Sequence, residues 1–164
     1  MNKIAKKLSW SIPGILVFSV DQLIKCAIRK MPMYTPFFTI PGVAELIHCT
    51  NTGAAFSLMQ GKILLISSFS VALVMMLLWL FVKSMHLTAR SMMALSVMIG
   101  GGGGNLFDRV FRSGVTDYIR LLFVPFPVFN FADICITLSV LTLIFYLITG
   151  RLDKHPEEKH GSDH

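Results

Sequence analysis

Ile63–Val82 reads ILLISSFSVALVMMLLWLFV, twenty residues without a charge. At about 1.5 Å per helical residue, such a run spans roughly the 30 Å hydrocarbon core of a bilayer. Three further apolar runs, at about 8–28, 91–107 and 129–149, complete the prediction of an all-α membrane protein with four transmembrane helices. The composition agrees: of 164 residues, 54% are hydrophobic and 15% charged, and the mean hydropathy is +0.66. That mix excludes a disordered chain and an ordinary water-soluble enzyme. The net charge of +6 would suggest nucleic acid in a soluble chain. Here the basic residues mostly flank the spans, where they set topology and meet anionic headgroups, so membrane lipids are the expected partners and nucleic acid is not.

Cys26, Cys49 and Cys135 are scattered, with no CxxC pair and no His at zinc-ligand spacing, which supports neither a disulfide framework nor a metal site. No small-x-small cleavage site follows the first apolar run, so it is read as a retained span. No internal repeat is visible. Residues 1–150 are expected to form one membrane domain, and 151–164 a hydrophilic cytoplasmic tail.

If the N-terminus is cytoplasmic, the inner segments 1–7, 83–90 and 150–164 hold eight Lys and Arg, against six in the longer outer segments 29–62 and 108–128. This bias places both termini inside. Outside the tail, the acids are Asp21, Glu45, Asp108, Asp117 and Asp133, and all five then lie toward the outer face. A carboxylate at the centre of a span costs about 2.5–3.5 kcal/mol, so Asp21 and Asp133 are candidates for function by default. In the first outer loop, Phe37–Ile40 and Ala44–Thr50 are strand-like runs around the turn dipeptide Pro41-Gly42, which predicts a small extracytoplasmic β-hairpin, a cradle over the bundle end. It is expected to cover the site and exclude bulk water.

Asp21 and Lys25 are four apart and share a helical face, which reads most simply as an interfacial ion pair with Lys25 snorkelling outward. Asn51-Thr52-Gly53-Ala54-Ala55-Phe56 joins an amide to small residues that allow close backbone approach. Gly100–Gly104 marks tight helix packing or a helix break, and is followed at once by Asn105, Asp108 and Arg109 at spacings that share a face if the helix continues. Arg109 beside Asp108 would hold that carboxylate ionised, a clamp rather than an acid or base. Asn130 and Asp133, three apart, open the fourth span, and Asp117 lies in the apolar stretch before it. Asp117 and Asp133 could meet at the outer boundary and share a proton, as in aspartic peptidases, or serve a structural or ion-coupling role. A small ion-coupled transporter, a membrane scaffold and a Ser57/Lys62 peptidase dyad are the competing readings.

Five blocks in order, Asp21-Gln22-x-x-Lys25, Asn51-x-Gly53-Ala54-Ala55-Phe56, Gly104-Asn105-x-x-Asp108-Arg109, Val115-x-Asp117-Tyr118-Ile119 and Phe129-Asn130-x-Ala132-Asp133, closely resemble the bacterial lipoprotein signal peptidase (signal peptidase II) family. The resemblance covers roughly residues 8–150. It implies an aspartic endopeptidase of the bacterial cytoplasmic (inner) membrane, with its active site near the extracytoplasmic face. Such an enzyme removes the signal peptide from diacylglyceryl-modified prolipoproteins, cutting just before the lipidated cysteine. It implies no cofactor and no metal, and the enzyme is expected to act as a monomer. By the resemblance, Asp117 and Asp133 are the catalytic pair. Asp21, Lys25, Asn51, Gly53, Asn105, Asp108, Arg109, Asn130 and Ala132 support the site or the substrate, with Asn51, Asn105, Arg109 and Asn130 lining the pocket. Two departures stand out. The glycine block is glycine throughout where the family's is closer to Gly-Gly-Ala-x-Gly-Asn, which weakens the helix expected there. Tyr118 stands where Phe is common, with its ring retained and little expected to change.

Overall fold

The computed structural model describes residues 3–53, 63–84 and 86–152. Four helices, α1 (Lys3–Ile28), α2 (Ile63–Lys83), α3 (Ala89–Arg112) and α4 (Phe131–Ile148), carry a sheet of β1 (Phe38–Ile40), β2 (Ala44–Asn51) and β3 (Val115–Leu121). Leu8–Ile28, Leu64–Lys83 and Phe131–Ile148 are long and apolar enough to cross a membrane. α3 is longer than α2 and α4, but its glycines and charges dilute its apolar character, so composition alone does not mark it as a span. Large apolar side chains such as Leu64, Phe69, Trp79, Phe145 and Ile148 point outward, as expected where the solvent is lipid.

α3 is the central helix, packed against α1, α2 and α4. Its buried residues, among them Ser91, Met92, Leu95, Ser96, Gly100, Gly101, Gly104, Asn105 and Asp108, recur at helical spacing along one broad, mostly small and polar stripe. At one end Met92 and Leu95 meet Trp10, Leu77, Phe81 and Leu87 in an apolar cluster. Midway, α1 and α3 touch backbone to backbone at Gly14 and Gly100. There Ser96 Oγ accepts from the Gly14 N–H (3.0 Å) and donates to the Ser11 carbonyl (3.2 Å), so α3 supplies polar partners beside Pro13, which lies inside α1. The helix runs unbroken through Gly100–Gly104. The break considered from composition does not occur, because close packing offsets the low helix propensity of glycine. Thr88 caps the start of α3 by accepting from Ser91 N–H (3.2 Å), and Ser113, at φ 58°, ends it in the left-handed region.

The hairpin forms about the turn at residues 41–43, but it is two strands of a three-stranded antiparallel sheet in the order β1-β2-β3. β3 had no counterpart among the expected elements. Its partner β2 is distant in sequence: Asn51 pairs with Val115 and Cys49 with Asp117, whereas Leu46 pairs with Ile119, so β2 carries one extra residue, a β-bulge. Phe129 bridges Ile119, with N–H to carbonyl distances of 3.0 and 2.8 Å. The fourth helix therefore begins at Phe131 and not at residue 129. The expected tail, 151–164, lies outside the described residues apart from its first two positions.

Candidate active site

The C-terminal ends of α1 and α3, the N-terminus of α4 and the strands β2 and β3 converge at one end of the bundle. On α1, residues 21, 25 and 29 follow one another at i, i+4 and so share a face turned toward α3. Asp21 and Lys25 are both fully buried, and Lys25 Nζ lies 2.9 Å from Asp21 Oδ2. The ammonium also approaches Asp108 Oδ2 (3.3 Å) and donates to Asn105 Oδ1 (2.8 Å). Lys25 thus turns inward, contrary to the expected snorkelling. Two carboxylates and an amide oxygen can replace its hydration, one for each N–H.

Asp108 is fully buried and clamped as expected, but by other cations. Lys25, Arg29 (3.5 Å) and Arg112 (3.4 Å) face it, and its Oδ2 accepts the Thr116 N–H of β3 (3.2 Å). The adjacent Arg109 instead lines a cavity of about 520 Å3. Asn51, Asn105, Asp117, Asp133 and Thr137 contribute the other polar groups of that cavity, while Phe126, Val128, Ile136 and Leu138 are among its apolar walls. Strand alternation sends Val115 and Asp117 to the cavity, and Thr116 to the other side, where its hydroxyl accepts from Arg29 (3.2 Å).

Two asparagines join the two cavity carboxyls. Asn130 is fully buried behind the cavity wall and caps α4: its Oδ1 accepts the Asp133 N–H (3.1 Å), and Asp133 Oδ2 accepts the Asn130 N–H (3.1 Å). That reciprocal capping box satisfies first-turn donors of α4 and aims Asp133 back along the chain. The Asn130 Nδ2 donates to Asp117 Oδ1 (2.6 Å) and to Asn105 Oδ1 (3.2 Å). Asn105 Nδ2 donates to Asp133 Oδ1 (2.8 Å). Asp117 Oδ2 accepts from Asn51 Nδ2 (3.0 Å), whose own Oδ1 is held by the Gly53 N–H (2.9 Å). Ala54–Phe56 of the same block, with Ser57 and Lys62, lie outside the described residues. Ala132 is fully buried, its carbonyl only 2.9 Å from where a Cβ on Gly101 would sit, so it marks the tight crossing of α3 and α4.

Burial, then the charge of Asp133, pushes the Asp117 carboxyl up to about 7, against hydrogen bonds from Asn51 and Asn130 that lower it. Burial also pushes the Cys49 thiol to about 11. Cys49 hydrogen-bonds the Asp117 carbonyl (3.5 Å) as a protonated thiol, a poor nucleophile. Among the described residues, no group of three or more His, Cys, Asp and Glu is placed to hold a metal ion.

Sequence reasoning missed Arg29, although its spacing four after Lys25 already placed it on the same face. It also undervalued Tyr118. The buried phenol oxygen accepts the Phe131 N–H (3.0 Å), a free donor in the first turn of α4, and ties the strand of Asp117 to the helix of Asp133. Tyr118→Phe is expected to cost about 1–2 kcal/mol by leaving that N–H unsatisfied. A thermal melt in detergent measures it, and an unchanged melting temperature would show the bond to be worthless.

The family model for signal peptidase (SPase) II matches residues 14–149. The lipoprotein signal peptidase of Streptococcus pneumoniae is 33% identical over 140 residues, 85% of this chain and 92% of that protein. The lipoprotein signal peptidase of Caldicellulosiruptor bescii is 34% identical over 131 residues, 80% of this chain and 85% of its own length. A solved bacterial membrane enzyme superposes with a TM-score of 0.80 at 26% identity, covering 91% of this chain and 94% of that one. A match across nearly all of the helical bundle, at such identities, makes this chain a member of the signal peptidase II family.

Proposed function

We propose that this membrane protein hydrolyses the signal peptide from diacylglyceryl-modified prolipoproteins, just before the lipidated cysteine, using Asp117 and Asp133 as an aspartic pair. The observation that carries the reading is the convergence of these two carboxyls on one cavity with apolar walls, linked through Asn105 and Asn130. The protein is a lipoprotein signal peptidase, an aspartic-type enzyme. One copy carries the whole constellation, so the reading requires only a monomer.

In the proposed topology all four helices span the membrane, residues 1–150 form one peptidase domain of the bacterial inner membrane, and both termini are cytoplasmic. The excess of Lys and Arg in the inner segments supports this orientation. The sheet and the aspartic pair then lie at the extracytoplasmic face, because α1 and α3 end there and α4 begins there. A substrate with its acyl chains in the bilayer arrives laterally and presents its scissile bond at that depth. Phe126, Ile136 and Leu138 offer an apolar wall to its signal helix.

Asp133, its two oxygens each anchored by an N–H, accepts a proton from the attacking water. Asp117 holds the shared proton, hydrogen-bonds the scissile carbonyl oxygen as negative charge develops, and then protonates the leaving amine. Loss of that proton disables the acid, so the single-turnover rate is expected to fall as pH rises through about 7. A rate that climbs across the same interval would reverse the assignment.

The direct test is a gel-shift cleavage assay with purified protein and a prolipoprotein that carries its diacylglyceryl group. A mobility shift with lipidated substrate, and little or none with the unlipidated form, is expected. Equal cleavage of both would remove the lipid requirement, and no cleavage of either would remove the peptidase reading.

A further inference from the structure

We propose that Lys25 is a positioning residue for the reaction: by donating to the Asn105 side-chain oxygen it sets which way that amide faces, and thereby the hydrogen bonds on Asp133 and Asp117. The proposal rests on the reading that these two carboxyls carry the chemistry.

An ammonium can only donate, so the atom of Asn105 that faces Lys25 Nζ at 2.8 Å must be the oxygen. The amide nitrogen is then turned the other way, 2.8 Å from Asp133 Oδ1. The same Asn105 oxygen takes a second donor, Asn130 Nδ2 at 3.2 Å, and that nitrogen also reaches Asp117 Oδ1 at 2.6 Å. The orientation of Asn130 is set independently, because its oxygen is committed to the Asp133 backbone N–H at 3.1 Å. From one ammonium, two amides of defined direction lead to both carboxyls. Without Lys25 the Asn105 oxygen keeps only the Asn130 donor. A reversed Asn105 would set oxygen against Asp133 Oδ1, acceptor against acceptor, and withdraw the acceptor from Asn130.

Neutralising buried acids is the plain structural role for Lys25, and it does not account for the contact with Asn105. Asp108 has Arg29 and Arg112 at 3.5 and 3.4 Å, and Asp21 Oδ2 accepts from Gln22 Nε2 at 3.1 Å. The third N–H of Lys25 is spent on an amide whose other end faces the cavity.

The test is a double-mutant cycle of Lys25→Met and Asn105→Ala in an Asp21→Asn background, which removes the carboxylate that would otherwise lose its partner. kcat and KM for lipidated prolipoprotein are measured, with melting temperature in detergent. Lys25→Met is expected to lower kcat about 100-fold, the scale of a roughly 1 Å misplacement of reacting groups, while KM changes less than about twofold. In the Asn105→Ala protein it is expected to have no further effect. Additive losses, or a rise in KM at unchanged kcat, overturn the proposal. Should those variants not fold, Asn105→Asp decides the matter, since it keeps an oxygen for Lys25 and sets a carboxyl oxygen, with its charge, in place of the N–H aimed at Asp133. A folded Asn105→Asp protein with the kcat of the wild type overturns the proposal, and a loss of about 100-fold supports it. Active Asp117→Asn or Asp133→Asn proteins would overturn the underlying reading instead, so the two failures are distinct.

Discussion

Asp117→Asn is expected to lower cleavage by roughly 10²–10⁴-fold, the range for loss of a general acid or base, and to leave a fold at least as stable as the wild type above pH 7. The second half separates lost chemistry from lost structure. The folded-state pKa of Asp117 is raised from 3.8 to about 7. Stability that this carboxyl contributes in its protonated form is therefore fully present below pH 3.8 and is lost as pH rises toward 7. Above that, holding the buried carboxylate ionised costs on the order of 4 kcal/mol, which an uncharged amide avoids. One amide nitrogen would face a donor, Asn51 Nδ2 or Asn130 Nδ2, and this returns about 1–3 kcal/mol of the gain. Asp133→Asn is expected to be equally inactive without that gain, because Asp133 also belongs to the cap of α4. Gel-shift cleavage together with melts near pH 6 and pH 8 tests both variants. Retained cleavage by either protein sinks the aspartic pair.

Gly100→Ala is expected to cost at least the roughly 1–3 kcal/mol of ordinary overpacking, and to lose activity with the fold. A Cβ on Gly100 would lie 2.8 Å from the carbonyl carbon and 2.9 Å from the Cα of Gly14. Backbone atoms cannot rotate away, so α1 and α3 would have to separate. Asn105, little more than one turn further along α3, would move with the helix and draw away from Lys25. Gly103→Ala is the control. Its Cβ would meet only Phe18 Cδ2 at 3.7 Å, and alanine would improve helix propensity by about 1 kcal/mol. Melting temperature and recovery of monodisperse protein in detergent measure the difference. Equal behaviour of the two variants would show that the close approach does not matter.

Three long apolar helices were legible because a bilayer demands long uncharged runs, and the Asp21/Lys25 pair because helical spacing brings such residues together. The direction of Lys25 was not legible. A lysine near the end of a span usually reaches for water, and it is Asn105 and Asp108, some eighty residues away, that join Asp21 to make the inward turn favourable. The same distance hid β3. Val115–Tyr118 is buried throughout and lacks the polar alternation of a half-exposed strand, while its partner β2 lies beyond two helices. Asn130 was read as sharing a face with Asp133, when its role as cap depends on extended backbone at φ −132°. The Tyr118 hydroxyl could not be valued without the Phe131 N–H opposite it.

Asn130 begins α4 and also touches Asp117 and Asn105. On the proposed reading, the start of the last helix and the completion of the proteolytic site are one event. A nascent chain that ends after β3 already holds Asp117, Asn105 and the buried lysine, yet it has neither the second carboxyl nor the Asn130 amide. On the same reading it cannot cleave its neighbours in the membrane while it is being made. Hydrolytic power arrives only when the final segment is seated.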